Sequence, residues 1–545
     1  MTDKLRIVPI GGLGEIGKNM TVFEYEDEII IVDAGIMFPE NDMLGIDLII
    51  PDYDYVLERK DKVLAIVITH GHEDHVGALP HVMRDIDAPI YATRLTTGLI
   101  RAKLNQAGLL QQVELNTFQA GDVLEFGSFI VEPYHVAHSI PDGVGFGITT
   151  PVGLVVHTGD YKFDHTPVDG WPPDFAKLAE FSQRGVLCLL ADSTNAERPG
   201  WTPSETVITE AFDSLFREAQ GRIIVATFAS LISRIQQVAN ASIKHGRKLA
   251  VTGRSMRENV ATARELGYLD IPGELLIDIN QASSLPADKV TIMATGSQGE
   301  PTAAIGRLAT GRHRQLEIQP GDTVVLSAHP IPGNEEMVYR IINRLLQRGA
   351  SVYHEGNAEV HVSGHAAREE MKLLINLVRP EFFVPIHGEL RHLKAHGRLA
   401  EEMGIPAENI AVVENGTILE LSRDRLSVGP RVPGGYVFVD GSGVGDVGPA
   451  VMRDRERLAD SGFFVAVAEI DDQGQMVGRP DFVSRGFIYL DESAELLQGA
   501  EEAVARTIRE NGRDRDRLRR QIESTLSRYF YHETKRRPMI YAVVR

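Results

Sequence analysis

The sequence contains a single cysteine, Cys188, in 545 residues, which excludes an intrachain disulfide. Cys188 stands in the apolar run GVLCLLAD, so we interpret it as a small core residue of a strand rather than a reactive thiol. The chain has no apolar run long enough to cross a membrane, and MTDKLRIVPIGG lacks the apolar segment of a signal peptide. It also has no internal repeat and no low-complexity tract. These absences predict a cytoplasmic protein without a membrane partner.

Positive charge is scarce. The 76 acidic residues outnumber the 56 lysines and arginines, which gives a formal net charge of -20. This balance argues against a protein that coats nucleic acid non-specifically, although a local basic channel remains compatible with it. An acidic chain also suits a site for multivalent cations. At 545 residues the chain is too long for one ordinary core, so we expect several domains.

Two patterns alternate along the chain. The first two hundred residues consist of short Val- and Ile-rich runs that end in glycine or polar residues, which predicts strands. The next part alternates helix and strand patterns, as in a doubly wound parallel sheet. The first pattern then returns, so we predict that the second unit is inserted into the first. The predicted domains are a split α/β domain (1–205 and 356–448), an inserted domain (206–355), a linker (449–459) and a small C-terminal α/β domain (460–545).

The segment GLGEIG (Gly12, Gly14, Gly17) matches the glycine pattern of dinucleotide-binding folds. That mechanism requires a helix after the glycines, whose N-terminus binds the pyrophosphate. The residues that follow, NMTVFEYEDEIIIVDAG, have the pattern of strand, acidic turn and strand. We therefore interpret GLGEIG as a glycine turn beside a site.

The segment THGHEDH carries the strongest functional signal. His70, His72, Asp74 and His75 fall within six positions after the predicted strand 63–69. On a helix His70 and His72 would point about 200° apart, whereas on a loop alternate side chains converge. Imidazoles and carboxylates are the ligands that zinc prefers. Scattered histidines are ordinarily surface or core residues, but this density at a strand end predicts a metal site.

Other predicted strands end in the same kinds of side chain. They offer His135 and His138, His157 and Asp160, and His387. A two-metal site needs four to five ligands for each ion, so we expect some of these strand ends to meet the first segment.

The order HxHxDH, an isolated histidine and TGD resembles the metallo-β-lactamase superfamily. The resemblance implies an αββα sandwich with two divalent metals, either zinc or, as alternatives, manganese or magnesium. It implies ligands for the first metal (His70, His72, His138), ligands for the second (Asp74, His75, His387) and a bridging Asp160. Asp33 would be a carboxylate that orients the ligand loop. His135 and His157 match no ligand position and are left as structural or supporting residues.

Asp192 in ADSTN, His365 in HVSGHA and His387 in PIHGE resemble motifs A, B and C of the β-CASP nucleases. The ordered set TFAS, TGSQGEP, HVSGHA and PIHGE resembles the bacterial ribonuclease J family more narrowly. The resemblance implies 5′→3′ exonuclease activity on single-stranded RNA with a 5′-monophosphate, together with endonuclease activity, in RNA maturation and decay. His365 would protonate the leaving 3′ oxygen or stabilise the charge developing on it, or else be a helix-capping histidine. Asp192 would orient a ligand or the attacking water.

HVSGHAAREEMKLLINLV predicts a helix from about Ala367 to Val378. Ser363 to His365 would then lie at its N-terminus, where backbone N–H groups favour phosphate. An ordinary serine N-cap explains the same pattern. The family resemblance implies a phosphate pocket formed by Ser230, His361, Val362, Ser363, Gly364 and His365, with Arg234 as a further candidate.

Two weaker signals remain. The acidic loops ENDMLGIDLIIPD and VDGSGVGDVG could share a structural calcium through Gly45, Asp47 and Asp440, or they are two solvated turns. The Arg-rich stretch 506–537 is a solvated or self-associating helix, or an RNA contact. The family resemblance implies dimerisation through this domain, as a homodimer or a dimer of dimers, and membership of an RNA-degrading assembly is a further hypothesis.

Three rival functions are weighed against this one. A thioester or lactam hydrolase would give no reason for the inserted domain, and a non-catalytic RNA-binding scaffold would not need a complete ligand set. A DNA-directed β-CASP nuclease stays open, because no residue can be identified as a contact to a 2′-hydroxyl.

Overall fold

A computed structural model describes residues 4–40, 42–331, 333–511 and 514–545. The chain forms two compact units. The first ends at Glu40 and resumes from Leu48 to Val437, and the second combines the segment ending at Asp47 with Phe438–Arg545. Among the described residues, no helix has the length and apolar character needed to cross a membrane.

The helices and strands follow in chain order. Before the insertion they are β1 (Leu5–Gly11), β2 (Leu13–Gly14), β3 (Met20–Tyr25), β4 (Glu28–Val32), β5 (Leu48–Pro51), α1 (Asp54–Leu57), β6 (Val63–Val67), α2 (Glu73–Val76), α3 (Leu79–Val82), β7 (Ile90–Ala92), α4 (Arg94–Gln106), β8 (Leu115–Thr117), β9 (Leu124–Phe126), β10 (Phe129–His135), β11 (Val144–Thr149), β12 (Leu154–His157), α5 (Phe175–Arg184) and β13 (Val186–Asp192). The inserted part contains α6 (Thr206–Glu218), β14 (Ile223–Ala226), α7 (Ile232–Lys244), β15 (Lys248–Val251), α8 (Arg254–Glu265), β16 (Leu276–Ile277), α9 (Ile279–Ala282), β17 (Val290–Ala294), α10 (Ala304–Thr310), β18 (Thr323–Leu326), α11 (Glu335–Gln347) and β19 (Ser351–His354).

The chain then continues with α12 (Arg368–Val378), β20 (Phe382–Ile386), β21 (Gly388–Glu389), α13 (Leu390–Glu402), β22 (Thr417–Ser422), β23 (Arg425–Arg431), β24 (Tyr436–Asp440), β25 (Gly443–Val444), α14 (Pro449–Ser461), β26 (Phe463–Ile470), β27 (Met476–Arg485), α15 (Ala494–Asn511), α16 (Arg515–Thr534) and β28 (Met539–Val544). Short 3-10 turns lie at Lys60–Lys62, Ala287–Lys289, Ala407–Asn409 and Leu490–Glu492.

Two sheets form the split domain. One has the order β23-β22-β1-β3-β4-β6-β7-β8, and the other has the order β20-β13-β12-β11-β10-β9. Apolar side chains of both, such as Phe23 and Val67 from the first and Phe146 and Leu190 from the second, meet in one buried cluster. Helices α5, α12 and α13 cover the second sheet on its other face, and α4 contacts β7 and β8 of the first. This arrangement confirms the predicted αββα sandwich.

The inserted domain is a parallel sheet with the order β16-β15-β17-β14-β18-β19. Both faces of its strands are buried, as expected for a doubly wound sheet. In β14, Ile223 and Val225 pack into the cluster that contains α6 and α7, whereas Ile224 and Ala226 pack into the cluster that contains α10 and α11. The predicted inserted, doubly wound fold is therefore confirmed.

The GLGEIG segment forms no nucleotide-binding element. Leu13–Gly14 pairs with Gly388–Glu389, and the chain then enters the antiparallel strands β3 and β4. A helix does not follow the glycines, which agrees with the predicted strand, turn and strand.

The second unit contains a three-stranded sheet with the order β27-β26-β28. Its core joins Phe464 and Ala466 of the sheet to Val504 of α15 and to Leu526 and Phe530 of α16. The segment 449–459, which was predicted as a linker, lies within helix α14. The Arg-rich stretch falls on α15 and α16 with its arginines exposed, apart from residues 512 and 513, which lie outside the described residues.

The groups expected to bind calcium lie together in the second unit, but a side-chain cation is already among them. Arg455 pairs with the carboxylate of Asp440 and donates a hydrogen bond to the Leu44 carbonyl at 2.9 Å. A Cβ on Gly45 would lie 2.7 Å from Nη1 of Arg455. Asp47 Oδ2 accepts a bond from the Gly441 amide at 2.8 Å. Arg455 thus supplies the positive charge at this place, and the calcium ion stays an untested prediction.

Arg234, a candidate for phosphate binding, is fully buried in α7. Its guanidinium donates to Glu205 Oε2 at 2.6 Å, to the Val360 carbonyl at 2.8 Å and to Gln237 Oε1 at 2.8 Å. It also bonds to Ser327. With these partners its role is structural: it ties α7 to the residue before His361.

We predict that Arg234→Met lowers the free energy of unfolding by about 3–5 kcal/mol, because it leaves Oε2 of the buried Glu205 without its hydrogen-bonded cation, and Lys162 lies only near the other oxygen, at 3.7 Å. The matched control is Arg340→Met in the exposed pair with Glu336, where the change should stay within about 0.5 kcal/mol. Urea denaturation followed by circular dichroism measures both. Equal effects of the two substitutions would contradict this account.

Candidate metal centre

The centre lies where neighbouring strands end. His70 follows β6, Asp160 follows β12, Asp192 is the last residue of β13, and His387 follows β20 directly. Strands β12, β13 and β20 are parallel neighbours, so their carboxyl ends reach the same edge of the sheet. His70 and His72 lie on the predicted loop, but Asp74 and His75 lie on the four-residue helix α2.

Three histidines form the first group of donors. Nδ1 of His72 lies 3.0 Å from Nε2 of His70 and 3.2 Å from Nε2 of His138. All three donor atoms lie within 4.8 Å of one another. They could hold one metal ion, as the resemblance implied.

Asp74, His75, Asp160 and His387 form the second group, again within 4.8 Å of one another. Asp160 Oδ2 lies 3.2 Å from Nε2 of His75 and 3.7 Å from Nε2 of His387. The same oxygen lies 3.7 Å and 3.8 Å from Nε2 of His70 and His138 in the first group. Asp160 is therefore positioned between the two groups.

The outer nitrogens of these histidines have partners of their own. Nδ1 of His75 lies 2.7 Å from Asp33 Oδ2, Nδ1 of His138 lies 2.7 Å from the Gly364 carbonyl, and Nδ1 of His387 lies 2.7 Å from Thr194 Oγ1. These bonds turn Nε2 of each ring towards the centre. Asp33 also accepts bonds from the amide and hydroxyl of Thr69, each at 2.8 Å. This is the contact expected of a carboxylate that orients the ligand loop.

The donor set fits divalent metal. Nitrogen donors from imidazole and oxygen donors from carboxylate are the ligands of zinc in hydrolytic sites, and imidazole with carboxylate also accepts manganese. Burial lowers the pKa of His72 to about 4 and lowers the pKa values of His70 and His138 well below their usual value. These three rings are therefore neutral at pH 7 and ready to donate a lone pair.

The histidines of the second group, unlike those of the first, have raised pKa values because of the carboxylates around them. Burial opposes charge on His75 and His387, but the carboxylates of Asp160 and its neighbours outweigh it. They raise the pKa of His75 well above its usual value and raise the pKa of His387 to about 10. Without metal, both rings carry a proton that offsets the negative charge of the carboxylates.

Asp192 and His365 lie at the edge of this centre. Nδ1 of His365 lies 2.8 Å from Asp192 Oδ2, and Nδ1 of His387 lies 3.3 Å from Asp192 Oδ1. The donor atoms of Asp160, Asp192, His365 and His387 form a third group within 4.8 Å. Asp192 is thus in contact with both the predicted catalytic histidine and a predicted ligand.

The backbone amides at the start of α12 already have hydrogen-bond acceptors within the protein. The helix begins at Arg368, after Ser363 to His365, and protein acceptors occupy its first backbone N–H groups. These bonds join Ala366 to the Tyr161 carbonyl (2.6 Å), Ala367 to Glu370 Oε2 (2.8 Å), Arg368 to the Arg198 carbonyl (3.0 Å) and Glu369 to the Gly200 carbonyl (3.1 Å). These four amides are therefore not available to phosphate, and the predicted phosphate site at Ser363 to His365 stays a prediction.

The turn before the helix keeps groups suited to phosphate. Nδ1 of His361 is buried and has no hydrogen-bond partner among the described residues. Burial, reinforced by the positive charge of Arg234, lowers the pKa of His361 well below its usual value. Ser363 and Gly364 follow it, and Gly364 accepts the bond from His138. Ser230 lies two residues before α7, the helix that carries Arg234.

His135 and His157 are not donors of these groups. The ring of His135 stacks on Trp171 with centroids 3.9 Å apart, and Nδ1 of His157 accepts a bond from the Gly159 amide at 3.1 Å. Both are thus structural, in agreement with the sequence interpretation.

Several supporting residues were not predicted from the sequence. Thr194 bonds to His387, and Asn195 contacts Ser363 and the His365 carbonyl. Asn19 donates to the Asp74 carbonyl at 3.1 Å, and Glu370 accepts bonds from three backbone amides. The positions of Thr194 and Asn195 directly after Asp192 in ADSTN were the available signal. Asn19 and Glu370 act over long sequence separations, which a single sequence does not reveal.

Four family models match the chain in turn. They are the metallo-beta-lactamase superfamily (residues 13–194), the ribonuclease J beta-CASP domain (220–345), a Zn-dependent metallo-hydrolase RNA specificity domain (353–410) and the ribonuclease J C-terminal domain (450–545). The solved structure of a protein of unknown function from Enterococcus faecalis V583 shares the fold, with a TM-score of 0.55 and 17% identity over 77% of this chain and 100% of that one. Fold and donor set together define a metallo-β-lactamase-type hydrolase with an inserted β-CASP domain.

Full-length relatives narrow the class to one family. Ribonuclease J 1 of Streptococcus pyogenes is 45% identical over 99% of this chain and 98% of its own length. Ribonuclease J of Thermus thermophilus is 44% identical over 99% and 95%, and ribonuclease J of Synechocystis is 43% identical over 99% and 86%. The chain belongs to the ribonuclease J family, and it is a metal-dependent nuclease.

We predict that metal uptake at pH 7.5 releases about two protons, because a ligand nitrogen must be deprotonated. His75 and His387 carry those protons, since their pKa values are raised. Affinity for zinc should accordingly increase between pH 6 and pH 8. Titration calorimetry in two buffers of different ionisation enthalpy measures the release. A release well below one proton would contradict the assignment of these two rings as ligands that are protonated in the metal-free protein.

Proposed function

We propose that the protein is a ribonuclease that degrades single-stranded RNA in the 5′→3′ direction, prefers a 5′-monophosphate and also cuts internally. The contact between the phosphate-suited turn and the metal centre carries this proposal. The Gly364 carbonyl lies 2.7 Å from Nδ1 of His138, and His365 lies 2.8 Å from Asp192. A terminal phosphate on this turn would lie at a fixed distance from the metals, as removal of single nucleotides requires. The name ribonuclease J of the relatives and the RNA specificity domain model support RNA as the substrate.

We assign the two groups of donors to two ions: His70, His72 and His138 to one, and Asp74, His75 and His387 to the other, with Asp160 between them. Two bound divalent metals would lower the pKa of a water and offset charge on the phosphodiester oxygens. The distances from Asp160 Oδ2 to four histidine nitrogens support the bridging role.

We propose that His365 is the general acid. Burial opposes its protonation, but the carboxylate of Asp192 and the hydrogen bond to it raise the pKa of His365. A raised pKa favours the protonated ring, and Asp192 holds Nδ1, which leaves Nε2 to donate. As a water oxygen bonds to phosphorus, the bond to the 3′ oxygen breaks and that oxygen takes the proton from His365. The proton that the water loses passes to solvent, and His365 regains a proton from solvent.

We expect His365→Ala to slow RNA cleavage by about 10²–10⁴-fold, the usual contribution of a general acid. Metal content, measured by mass spectrometry, should stay unchanged, because His365 is not among the assigned ligands. His532→Ala, in an exposed histidine of α16, is the control. Full turnover by the His365→Ala protein would remove the assignment.

The phosphate pocket has its own support. His361 Nδ1 is buried and unpartnered within the described parts of the chain, and Arg234, Arg198 and Lys162 raise the positive potential at its ring. A phosphate oxygen would satisfy both features. We assign Ser230, His361, Val362, Ser363, Gly364 and His365 to this pocket.

One RNA prepared with a 5′-monophosphate, triphosphate or hydroxyl tests the proposal. We expect the label at its 5′ end to leave as a mononucleotide, fastest from the monophosphate RNA, with no release after chelation. If internal fragments form at the same rate from all three RNAs, the protein is still a nuclease, but the assignment of a 5′-phosphate pocket is wrong. A matched DNA strand decides between RNA and the DNA-directed rival. Failure to cut either polymer would favour a small-molecule hydrolase.

We also propose self-association through the C-terminal domain. The face of its sheet opposite α15 and α16 carries an exposed apolar row: Val465 pairs in register with Val483 and Tyr541, which are 46% and 54% exposed. Covering this face in a homodimer or a dimer of dimers would bury it, and sedimentation of the protein with Tyr541→Lys would test this. The predicted domain bounds, the cytoplasmic location and the RNA-degrading assembly remain proposals.

A further inference from the structure

Asn195 connects two parts of the proposed active site through one amide nitrogen. Its Nδ2 donates to the His365 carbonyl at 2.9 Å and to Ser363 Oγ at 2.8 Å. A carbonyl oxygen can only accept, so the contact with His365 fixes which way the amide of Asn195 faces. The side chain is buried and both of its N–H groups are used.

Ser363 Oγ therefore accepts a hydrogen bond from Asn195. It accepts a second one, at 3.2 Å, from the backbone amide of His365. A hydroxyl oxygen has two lone pairs and one hydrogen. With both lone pairs occupied, the hydrogen of Ser363 must point to an acceptor outside this turn, and the partly exposed hydroxyl is left as a donor only.

We propose that Asn195 is the positioning residue that gives the protein its preference for a 5′-phosphate, by fixing the Ser363 hydroxyl as a donor. The inference rests on the proposed function, because it deepens the phosphate pocket assigned there. A terminal phosphate has only acceptor oxygens, so a hydroxyl locked as a donor recognises it. A 5′-hydroxyl end lacks these phosphate oxygens, so the fixed orientation of the Ser363 hydroxyl should not strengthen its binding.

The position of Asn195 suits this role. It follows Asp192 by three residues, and the amide and hydroxyl of Thr194 bond to Asp192 Oδ1 at 2.9 and 2.8 Å. One short turn after β13 thus holds the ring of His365 through Asp192 and the hydroxyl of Ser363 through Asn195. The His365 carbonyl has a second donor, Thr202 Oγ1, at 2.7 Å. Thr202 supports the path of the backbone but has no contact with Ser363 among these bonds.

The test substitutes Asn195→Asp, which keeps the shape and reverses the polarity. The new carboxylate would accept the Ser363 hydrogen and repel a phosphate. The measured quantity is the ratio of kcat/KM on 5′-monophosphate RNA to kcat/KM on 5′-hydroxyl RNA, so that effects common to both substrates cancel. We expect Asn195→Asp and Ser363→Ala each to lower this ratio about tenfold or more, as for loss of a hydrogen bond to a charged group. Asn195→Ala, which frees the hydroxyl to rotate, should lower it less.

Two control variants distinguish the hydrogen-bond polarity of Asn195 from its support of the backbone at His365. Thr202→Val removes the other bond to the His365 carbonyl, and Asn376→Asp adds the same charge at an exposed position of α12. Both should keep the ratio of the wild-type protein. Should Thr202→Val lower the ratio as much as Asn195→Asp, the effect would be one of backbone support and the inference would be overturned.

The outcomes also distinguish the assignment of the phosphate pocket from the role of Asn195 within it. If Ser363→Ala lowers the ratio and Asn195→Asp does not, the pocket stands and the role of Asn195 is wrong. If neither variant changes a high wild-type ratio, the assigned pocket itself is wrong, and the inference falls with it. Thermal unfolding identifies any variant that fails to fold, and Asn195→Ala then supplies the comparison in place of Asn195→Asp.

Discussion

Asp160 Oδ2 has Nε2 atoms of four histidines between 3.2 and 3.8 Å away, in a site with almost no exposure to solvent. Such a concentration of buried polar groups is costly unless each group has a partner. Protons on His75 and His387 balance the carboxylates in the metal-free chain, and divalent ions would balance them better. The fold around the centre serves to hold these donors at distances that they would not adopt by themselves.

Three features of the fold meet this requirement. Parallel neighbouring strands deliver Asp160, Asp192 and His387 to one edge of the second sheet, while the first sheet delivers His70 through β6. A second layer of side chains and carbonyls (Asp33, Thr194, Gly364) then fixes the ring orientations. The inserted domain also restrains the turn that carries His361, because Arg234 of α7 donates a hydrogen bond to the carbonyl of Val360, the residue before it.

The sequence was sufficient for the fold, and it supplied the candidate donors of the centre. The period of the apolar residues and the polar ends of strands determine the sandwich and the insertion, and the seven predicted donors lie within the two groups. Hydrogen bonds between segments that are distant along the chain could not be predicted from the sequence. The acceptors for the amides of residues 366–369 belong to residues 161, 198, 200 and 370, so only the three-dimensional structure shows that these four amides are occupied. The guanidinium of Arg455 beside Asp440 is a similar case.

The net charge of the chain also does not indicate the charge at particular places in the structure. The chain carries a net charge of -20, yet the groups that bear on His361 are Arg234, His329, Arg198 and Lys162. Lys162 and Arg234 are buried, and each lies near the carboxylate of Glu205. Cations held inside the fold act on the turn at short range, whereas the exposed acidic residues are screened by solvent and salt. The net charge of the chain therefore does not describe the charges near His361, which are set by cations that the fold brings there from distant parts of the sequence.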